Sequence, residues 1–285
     1  MMGPHAVVIM ACKVCKGLMG CWGDKMKYVL AIVVALLVFP VEAADWKERG
    51  DIGALFKSAG INGTFVLYDI ADDAYIGYNQ SRAETRFVPA STFKIPNTLI
   101  GLSVGAVKDV DEVLPYGGQP QFMKEWEEDM GLRKAIALSN VPIYQHLAQR
   151  IGLEHMRENI MKMDYGNKEI GSQVDRFWLD GPLKVSAIEQ ARFLARLAQG
   201  ILPFPAALQA SVREIVQVDQ GKDWVLYGKT GWESAPNPGV GWWVGWVHKN
   251  NRIYTFALNM DVHSAVDADK RVVLGRKSLA LLGVL

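Results

Sequence analysis

Strand-forming patterns occupy only the two ends of this 285-residue sequence, and this arrangement limits the folds open to it. Two alternating segments surround Ala71-Asp72-Asp73 near the N-terminal end, and Asn250-Asn251 predicts a hairpin turn near the C-terminal end. The predicted strand regions are 63–79, 223–231, 240–249 and 252–261. Because a strand must pair to bury its apolar face, we expect the early and late strands to meet in one antiparallel sheet.

The middle of the chain has helical periodicity instead. From Lys108 to Ala210 apolar residues recur at spacings of three and four, for example in 141–148 and 187–202. A final helix is predicted at about 267–282. Strand-rich ends around a helical middle predict an α+β fold, in which an antiparallel sheet flanked by terminal helices carries an inserted all-helical lobe.

These patterns divide the sequence into an N-terminal segment, 1–43, and one domain, 44–285. Within the domain we expect a sheet lobe formed by about 44–90 and 211–285, and a helical lobe formed by about 91–210. Two lobes leave a cleft between them, and binding sites form preferentially in such clefts. The functional residues are therefore expected where the lobes meet.

The N-terminal segment has the composition of a secretory signal peptide. Lys25 and Lys27 precede an apolar run, 28–39, which is followed by Pro40 and a small-residue cleavage site ending at Ala43. Twelve apolar residues are too few to span a bilayer comfortably, although an uncleaved anchor is the alternative. We therefore predict a periplasmic protein with its signal proper at 25–43. Because Met26 opens the basic region, a further hypothesis is that 1–25 is an upstream extension of the reading frame.

All three cysteines, Cys12, Cys15 and Cys21, precede the predicted cleavage point. Cys12 and Cys15 have the spacing of half a metal or redox site, but no second pair follows, so no metal is expected. The exported chain would then contain no disulfide, and its core alone would stabilise it. Cleavage would remove four lysines and two acidic residues, changing the net charge from +1 to −1. No basic stripe indicates a nucleic-acid partner.

The segment 87–100 is apolar almost throughout but contains Lys94, three residues after Ser91. A helix that starts near Ser91, with Pro96 in its first turn, places both side chains on one face. Burial disfavours the charged form of an amine and lowers its pKa, so Lys94 becomes a candidate base beside a serine hydroxyl. Such a pair is what acyl transfer to serine requires. The alternative is a lysine that extends to solvent from a partly exposed helix.

Two other motifs contain side chains that could take part in binding or catalysis. Lys229-Thr230-Gly231 lies on a strand that we place at the edge of the sheet, where a lysine and a hydroxyl can bind a carboxylate and glycine permits close approach. The alternative is a surface strand that ends in a turn. Ser139 begins a Ser-Asn-Val element at a predicted helix N-terminus, where a plain N-cap serine is the alternative.

Together with Tyr165-Gly166-Asn167 and Phe177-Trp178-Leu179, these motifs follow a familiar order. A Ser-x-x-Lys motif, a later Ser-containing element and Lys-Thr-Gly mark serine β-lactamases and penicillin-binding proteins. This combination resembles the class D, or oxacillinase-type, β-lactamases, although the second element here is Ser-Asn-Val in place of Ser-Asp-Asn. The resemblance covers essentially all of the predicted mature chain and implies the β-lactamase/penicillin-binding transpeptidase-like fold.

The resemblance implies a role for each matching position in catalysis. Ser91 would be the acylated nucleophile, and Lys94 would be carboxylated on its Nζ atom by carbon dioxide or bicarbonate to form a general base. Ser139 would pass a proton to the leaving nitrogen. Trp178 would donate a hydrogen bond to the modified lysine, while Val141 and Leu179 would keep the pocket apolar.

It also implies how substrate is held. Lys229, Thr230 and Arg271 would bind the substrate carboxylate beside Gly231, although the alignment of Arg271 could shift to Arg276. The backbone amides of Ser91 and Trp232 would form the oxyanion hole, as donors to a developing negative charge. Met123 and Trp126 would overhang the cleft.

The implied function is β-lactam hydrolysis through a serine acyl-enzyme, which confers antibiotic resistance. Carbon dioxide would be the one small molecule needed besides substrate, with no metal, no nucleic-acid partner and no stable membrane association after cleavage. A monomer or a homodimer is expected. The alternatives are a penicillin-binding transpeptidase or carboxypeptidase, against which the short length and Phe-Trp-Leu argue, and a β-lactam sensor domain, which should carry several upstream membrane helices. Substrate range stays open.

Overall fold

The computed structural model describes residues 45–285, so the predicted signal peptide and upstream extension lie outside the described residues. The strands are β1 Trp46–Glu48, β2 Gly63–Asp69, β3 Ala74–Tyr78, β4 Gln217–Gln220, β5 Trp224–Glu233, β6 Gly239–Lys249 and β7 Arg252–Val262. The α-helices are α1 Gly50–Ser58, α2 Gln80–Glu84, α3 Lys94–Ser103, α4 Leu132–Ala137, α5 Val141–Ile151, α6 Leu153–Met163, α7 Ala187–Gln199, α8 Ala206–Ile215 and α9 Ala265–Leu281. Within this part of the chain, no helix combines the length and apolar character needed to cross a bilayer.

The early and late strands meet in one seven-stranded sheet of order β1-β3-β2-β7-β6-β5-β4, as the sequence predicted. β2 pairs with β7 along its whole length, from Gly63 opposite Met260 to Asp69 opposite Tyr254. The predicted hairpin between β6 and β7 is also confirmed. Asn250 and Asn251 both have positive φ angles, 47° and 66°, which a tight hairpin turn requires and asparagine tolerates.

The sheet departs from the predicted arrangement at both edges. The short strand β1, which no sequence pattern indicated, pairs in parallel with β3, and its Trp46 ring packs over Gly77. At the other edge β4 lies outside β5, so the strand that carries Lys229 is not the edge strand. However, β4 pairs with β5 only as far as Tyr227. The half of β5 that contains Lys229-Thr230-Gly231 therefore extends beyond β4 and keeps one side free.

Helices cover both faces of the sheet. The terminal helices α1 and α9 lie on one face, where they enclose a core that includes Ile52, Phe56, Trp243, Phe256, Leu274 and Leu279. The other face is covered by the helical layer, in which α7 contacts β2, β6 and β7 directly. The Thr255 hydroxyl anchors α7 to the sheet by donating to the Ala191 carbonyl at 2.9 Å.

Helical structure in the middle of the chain is less extensive than its periodicity predicted. Residues 104–131 contain one 3₁₀ turn, Lys124–Trp126, and one isolated bridge, between Leu114 and Met130, and otherwise consist of turns and irregular backbone. Gly105, Gly117 and Gly118 adopt positive φ angles there, which interrupt a right-handed helix. This irregular segment brings the 3₁₀ turn to the rim of the cleft.

Candidate active site

Ser91 lies in a tight 3₁₀ turn, Ala90–Phe93, that leads directly into α3. The predicted helix start near Ser91 is thus confirmed, with a 3₁₀ first turn. Ala90 has a φ of +49°, an uncommon conformation for a residue with a Cβ atom. Backbone strain of this kind is often concentrated at functional sites because surrounding contacts must hold it. Here it bends the chain sharply before Ser91 and presents that side chain to the cleft.

Lys94 contacts Ser91 directly and is completely buried. Its Nζ atom lies 2.8 Å from the Ser91 Oγ atom, and the exposed fraction of the residue is 0%. Burial, together with the positive charge of Lys229, lowers the pKa of Lys94 well below its ordinary value. This burial excludes the alternative that Lys94 extends to solvent. The lowered pKa favours the neutral amine, the form that can accept a proton from the serine hydroxyl.

A second lysine–serine pair lies across the cleft from the first. The Nζ atom of Lys229 donates to the Ser139 Oγ atom at 3.0 Å and to the Thr230 carbonyl at 3.1 Å. Burial, and next the positive charge of Arg271, lowers the pKa of Lys229 to about 7. The Lys229 ammonium group, which contacts the Ser139 hydroxyl, can therefore lose its proton near neutral pH.

Ser139 is not the N-cap of α5, so the plain capping role considered for it is wrong. Asn140 is the cap residue, and its Oδ1 atom accepts a hydrogen bond from the Ile143 amide at 3.0 Å. Ser139 precedes it with a φ of +55°, which turns its side chain away from the helix end. Because the neighbouring asparagine satisfies the helix, the serine hydroxyl is available to Lys229.

Strand β5 approaches the Ser91 turn at Gly231. A Cβ atom at this position would lie 2.9 Å from the Pro89 carbonyl oxygen and 3.1 Å from the Thr92 side chain. Only glycine permits this approach without displacing the backbone that supports Ser91. The Lys-Thr-Gly motif therefore requires glycine at its third position for steric reasons.

The free side of β5 also presents backbone donors. The Gly228 amide points away from β6, because it bonds to the Val216 carbonyl at 2.9 Å. Strand residues alternate in the direction of their amides, so Thr230 and Trp232 point theirs to the same side, past the end of β4. The Trp232 amide thus faces the side of β5 on which the Ser91 turn lies.

Trp178 lies beneath the cleft with an unsatisfied donor. It is completely buried, and its ring stacks on Phe93 with the ring centroids 5.5 Å apart. Its Nε1 atom has no hydrogen-bond partner among the described residues. A buried donor without a partner is costly, so an acceptor is expected beside it. The ring partner, Phe93, immediately precedes Lys94 in the chain.

The remaining predicted residues line one cavity of about 690 Å³ that contains Ser91. Its walls include the predicted residues Met123, Trp126, Ser139, Val141, Leu179, Thr230, Gly231, Trp232 and Arg271. Trp126 is held at the rim because its indole N–H donates to the Leu138 carbonyl at 3.1 Å. The structure therefore gathers all thirteen predicted site residues at or directly beneath one cleft.

The two candidate arginines are separated by the fold. Arg271 lines the cavity with Ser91, and its guanidinium donates to the Gly231 carbonyl at 2.5 Å. Arg276, one turn further along α9, forms an ion pair with Asp219 and lines a different cavity. This placement favours Arg271 over Arg276 as the ligand of a bound anion.

Phe122 also belongs to this site, although no sequence pattern predicted it. It lines the cavity beside Met123 with 86% of its surface exposed, and its ring centroid lies 6.4 Å from that of Trp126. A large aromatic side chain that is so exposed at a cavity rim commonly contacts ligands. Its position next to Met123 was the available signal, but periodicity does not reveal exposure in an irregular segment.

This geometry defines a serine acyl-transfer site on a penicillin-binding-type fold. The chain matches the penicillin-binding protein transpeptidase domain family over residues 63–273. It is 40% identical to β-lactamase OXA-5 of Pseudomonas aeruginosa over 233 residues, which cover 81% of this chain and 87% of the relative. With β-lactamase OXA-48 of Klebsiella pneumoniae the identity is 37%, again over 81% of this chain and 87% of the relative.

Solved structures agree with these sequence relatives. The class D β-lactamase FUS-1 (OXA-85) of Fusobacterium nucleatum subsp. polymorphum superposes with a TM-score of 0.81 at 44% identity, covering 84% of this chain and 100% of that one. The chain belongs to the class D β-lactamases. The predicted α+β fold and the resemblance to this family are both confirmed.

The capping arrangement makes a testable prediction about stability. Replacing the capping side chain in Asn140→Ala should lower the free energy of unfolding by about 0.5–2 kcal/mol, because the Ile143 amide loses its acceptor. Ser139→Ala should lower it by less, because the cap stays intact and the Lys229 Nζ atom keeps the Thr230 carbonyl as an acceptor. Urea denaturation of the two purified variants measures both values. Equal losses would show that the cap had been assigned to the wrong residue.

Proposed function

We propose that this protein hydrolyses β-lactam antibiotics through an acyl-enzyme on Ser91 and thereby confers resistance to them. The observation that carries the proposal is the 2.8 Å contact between Ser91 Oγ and the fully buried Lys94 amine. A serine hydroxyl becomes nucleophilic only when an adjacent base takes its proton, and a lysine with a lowered pKa is such a base. Membership of the class D β-lactamases supplies the substrate class.

In acylation the Ser91 oxygen attacks the β-lactam carbonyl while its proton passes to the Lys94 side chain. The Ser91 and Trp232 amides stabilise the resulting oxyanion, a contribution worth about 2.7–4 kcal/mol per donor in a well-studied enzyme. The lactam nitrogen needs a proton as its bond to carbon breaks. Ser139 supplies that proton and is reprotonated by Lys229, whose pKa of about 7 suits the transfer.

Hydrolysis of the acyl-enzyme needs a base again, and we propose that Lys94 performs this step in a carboxylated form. The carboxyl group, derived from carbon dioxide, would supply an anionic general base for both half-reactions. Two observations support the fit. The amine is buried with a lowered pKa, which favours the neutral form that addition to carbon dioxide requires. The buried Trp178 indole N–H has no partner among the described residues and would donate to an added oxygen. Val141 and Leu179 provide apolar cover on the cleft side.

The substrate carboxylate is bound on the β5 side of the cleft. Thr230 and Arg271 line the cavity, and Lys229 lies behind them with 6% of its surface exposed. Gly231 lets the strand approach closely enough for a bound β-lactam to reach Ser91. The apolar rim of Met123 and Trp126, joined by Phe122, would contact the acyl side chain of the substrate.

The proposal extends to the rest of the chain. Signal cleavage after Ala43 would release residues 44–285 into the periplasm without membrane attachment, where the protein would act as a monomer or homodimer on small-molecule substrates. No metal or nucleic acid enters this scheme. Mass spectrometry of the exported protein would test the cleavage site, and an intact N-terminus that contains Cys12 would contradict it.

Steady-state hydrolysis of a panel of penicillins, cephalosporins and carbapenems tests the proposed function. The wild-type protein should turn over at least the penicillins, and Ser91→Ala should lose hydrolysis by several orders of magnitude because no nucleophile remains. A stable stoichiometric acyl-enzyme without turnover would indicate a penicillin-binding transpeptidase or a sensor domain instead. Retained turnover in Ser91→Ala would contradict the assignment of the nucleophile.

Recognition of the substrate carboxylate predicts different effects for the two arginines. Arg271→Ala should raise the KM for penicillins by at least about tenfold, because a charge-assisted hydrogen bond contributes about 1.5–3 kcal/mol. Arg276→Ala is the matched control, and it should leave the KM within about twofold because its partner is Asp219. Circular dichroism would check that both variants fold. A loss confined to Arg276→Ala would reverse the assignment.

The chemistry of Lys94 predicts a dependence on pH and bicarbonate. As the pH falls through the lowered pKa, the amine becomes protonated and cannot retain carbon dioxide, so activity should fall on the acidic side. Added bicarbonate should restore turnover of degassed enzyme, and Trp178→Phe, which removes only the indole donor, should need more of it. Carbon-13 NMR with labelled bicarbonate reads the modification directly. No signal in active wild type, or a signal that persists in Lys94→Ala, would rule it out.

A further inference from the structure

The backbone that leads to Ser91 is held at three successive carbonyls. Phe87 pairs with Val185 in both directions, at 2.9 and 2.8 Å, and the Val88 carbonyl accepts from the Trp242 indole at 2.8 Å. The Pro89 carbonyl accepts from both the amide and the hydroxyl of Thr92, at 3.2 and 2.7 Å. Thr92 immediately follows Ser91, and its hydroxyl thus closes the turn that contains Ser91.

A buried glutamine from a distant helix contacts this hydroxyl. The Nε2 atom of Gln190, on α7, lies 2.8 Å from the Thr92 Oγ1 atom, and both residues are 1% exposed. A carbonyl oxygen can only accept, so the Thr92 hydrogen is committed to Pro89. The Thr92 oxygen must therefore accept from the glutamine amide, which determines how the amide of Gln190 is oriented.

The other end of the amide is also occupied. Tyr165, the first residue of the Tyr-Gly-Asn motif, lies with its hydroxyl 3.2 Å from the Gln190 Oε1 atom and is itself 1% exposed. The hydrogen bonds therefore run in one direction, from Tyr165 to Gln190, from Gln190 to Thr92 and from Thr92 to Pro89. Connected buried hydrogen bonds of this kind polarise and orient one another.

Ala90, the residue inside this closed turn, adopts the unfavourable φ of +49° immediately before the proposed nucleophile. A relaxed turn would shift both the Oγ atom and the amide of Ser91, which our proposed function uses as nucleophile and oxyanion donor. We propose that Gln190 is a positioning residue for this reaction, which holds the Ser91 turn in its productive conformation through the Thr92 hydroxyl. This inference rests on the proposed role of Ser91.

Stabilisation of α7 does not explain this glutamine. The helix is capped independently by a reciprocal pair of hydrogen bonds between Ser186 and Glu189, and the Thr255 hydroxyl binds its Ala191 carbonyl. An apolar side chain would fill the same volume without needing partners. The Gln190 amide is needed for its hydrogen bond to Thr92, in the turn that contains Ser91.

The chain offers a matched control for a buried glutamine. Gln209, on α8, is 0% exposed and bonds three times to the backbone of Leu202 and Phe204. None of these partners lies in the turn that contains Ser91. Gln209→Met and Gln190→Met remove the same amide from equally buried sites, so both should lower thermal stability, but only the second should affect the reaction.

The experiment measures the pre-steady-state acylation rate by a chromogenic cephalosporin, per active site titrated, in saturating bicarbonate. We expect Gln190→Met and Thr92→Val each to slow acylation about 10- to 100-fold, the effect of a small misplacement of a reacting group. Thr92→Ser, which keeps the hydroxyl, should restore the rate to within about threefold of wild type. The double variant should be no slower than the worse single variant, because one chain of contacts has already been broken.

The outcomes separate this inference from the proposed function. Equal acylation rates in Gln190→Met, Gln209→Met and wild type, with only melting temperatures lowered, would show that Gln190 is structural and overturn the inference. Additive losses in the double variant would also overturn it. Hydrolysis that persists in Ser91→Ala would instead remove the proposed function, whatever the glutamine variants show. If Gln190→Met does not fold, Thr92→Val keeps the inference falsifiable, because Gln190 acts through that hydroxyl and a wild-type acylation rate in Thr92→Val would overturn it.

Discussion

Burial of the Lys94 amine is the constraint on which the rest of this structure depends. An ammonium group removed from water is unfavourable, so complete burial lowers the pKa of the amine and favours its neutral form. The positive charge of Lys229 lowers the pKa of Lys94 further. The surrounding aromatic residues therefore do more than fill space, since they exclude water from the amine and so keep its pKa low.

Two layers of the domain must meet closely to create that environment. The Ser91 turn belongs to the helical side, and Lys229 and Gly231 belong to the sheet. Their contact is possible because position 231 has no Cβ atom and because β4 ends before this half of β5 begins. The short edge strand thus has a role that its four residues would not suggest, as it leaves backbone donors of β5 free to face the cleft.

Several parts of this site were predictable from local sequence, and others were not. Ser91 and Lys94 were found because a helix places residues three apart on one face, whatever the rest of the fold does. The role of Asn140 as the helix cap was missed because two adjacent residues both have good capping side chains, and the choice between them depends on backbone angles. Phe122 and Gln190 were missed because neither exposure at a rim nor a contact across about one hundred residues leaves a periodic signal.

The sequence by itself determined the class of fold, the order of its motifs and the chemistry of each side chain, because those follow from periodicity, turn residues and residue type. Tertiary structure alone decided which arginine lies in the cleft, which side of β5 stays unpaired and which distant residues support the Ser91 turn. The physical reason is the separation along the chain over which each interaction acts. Hydrogen bonding along a helix or around a turn acts between neighbours in the chain, whereas burial, pKa shifts and the approach of one backbone to another arise only when distant segments pack together.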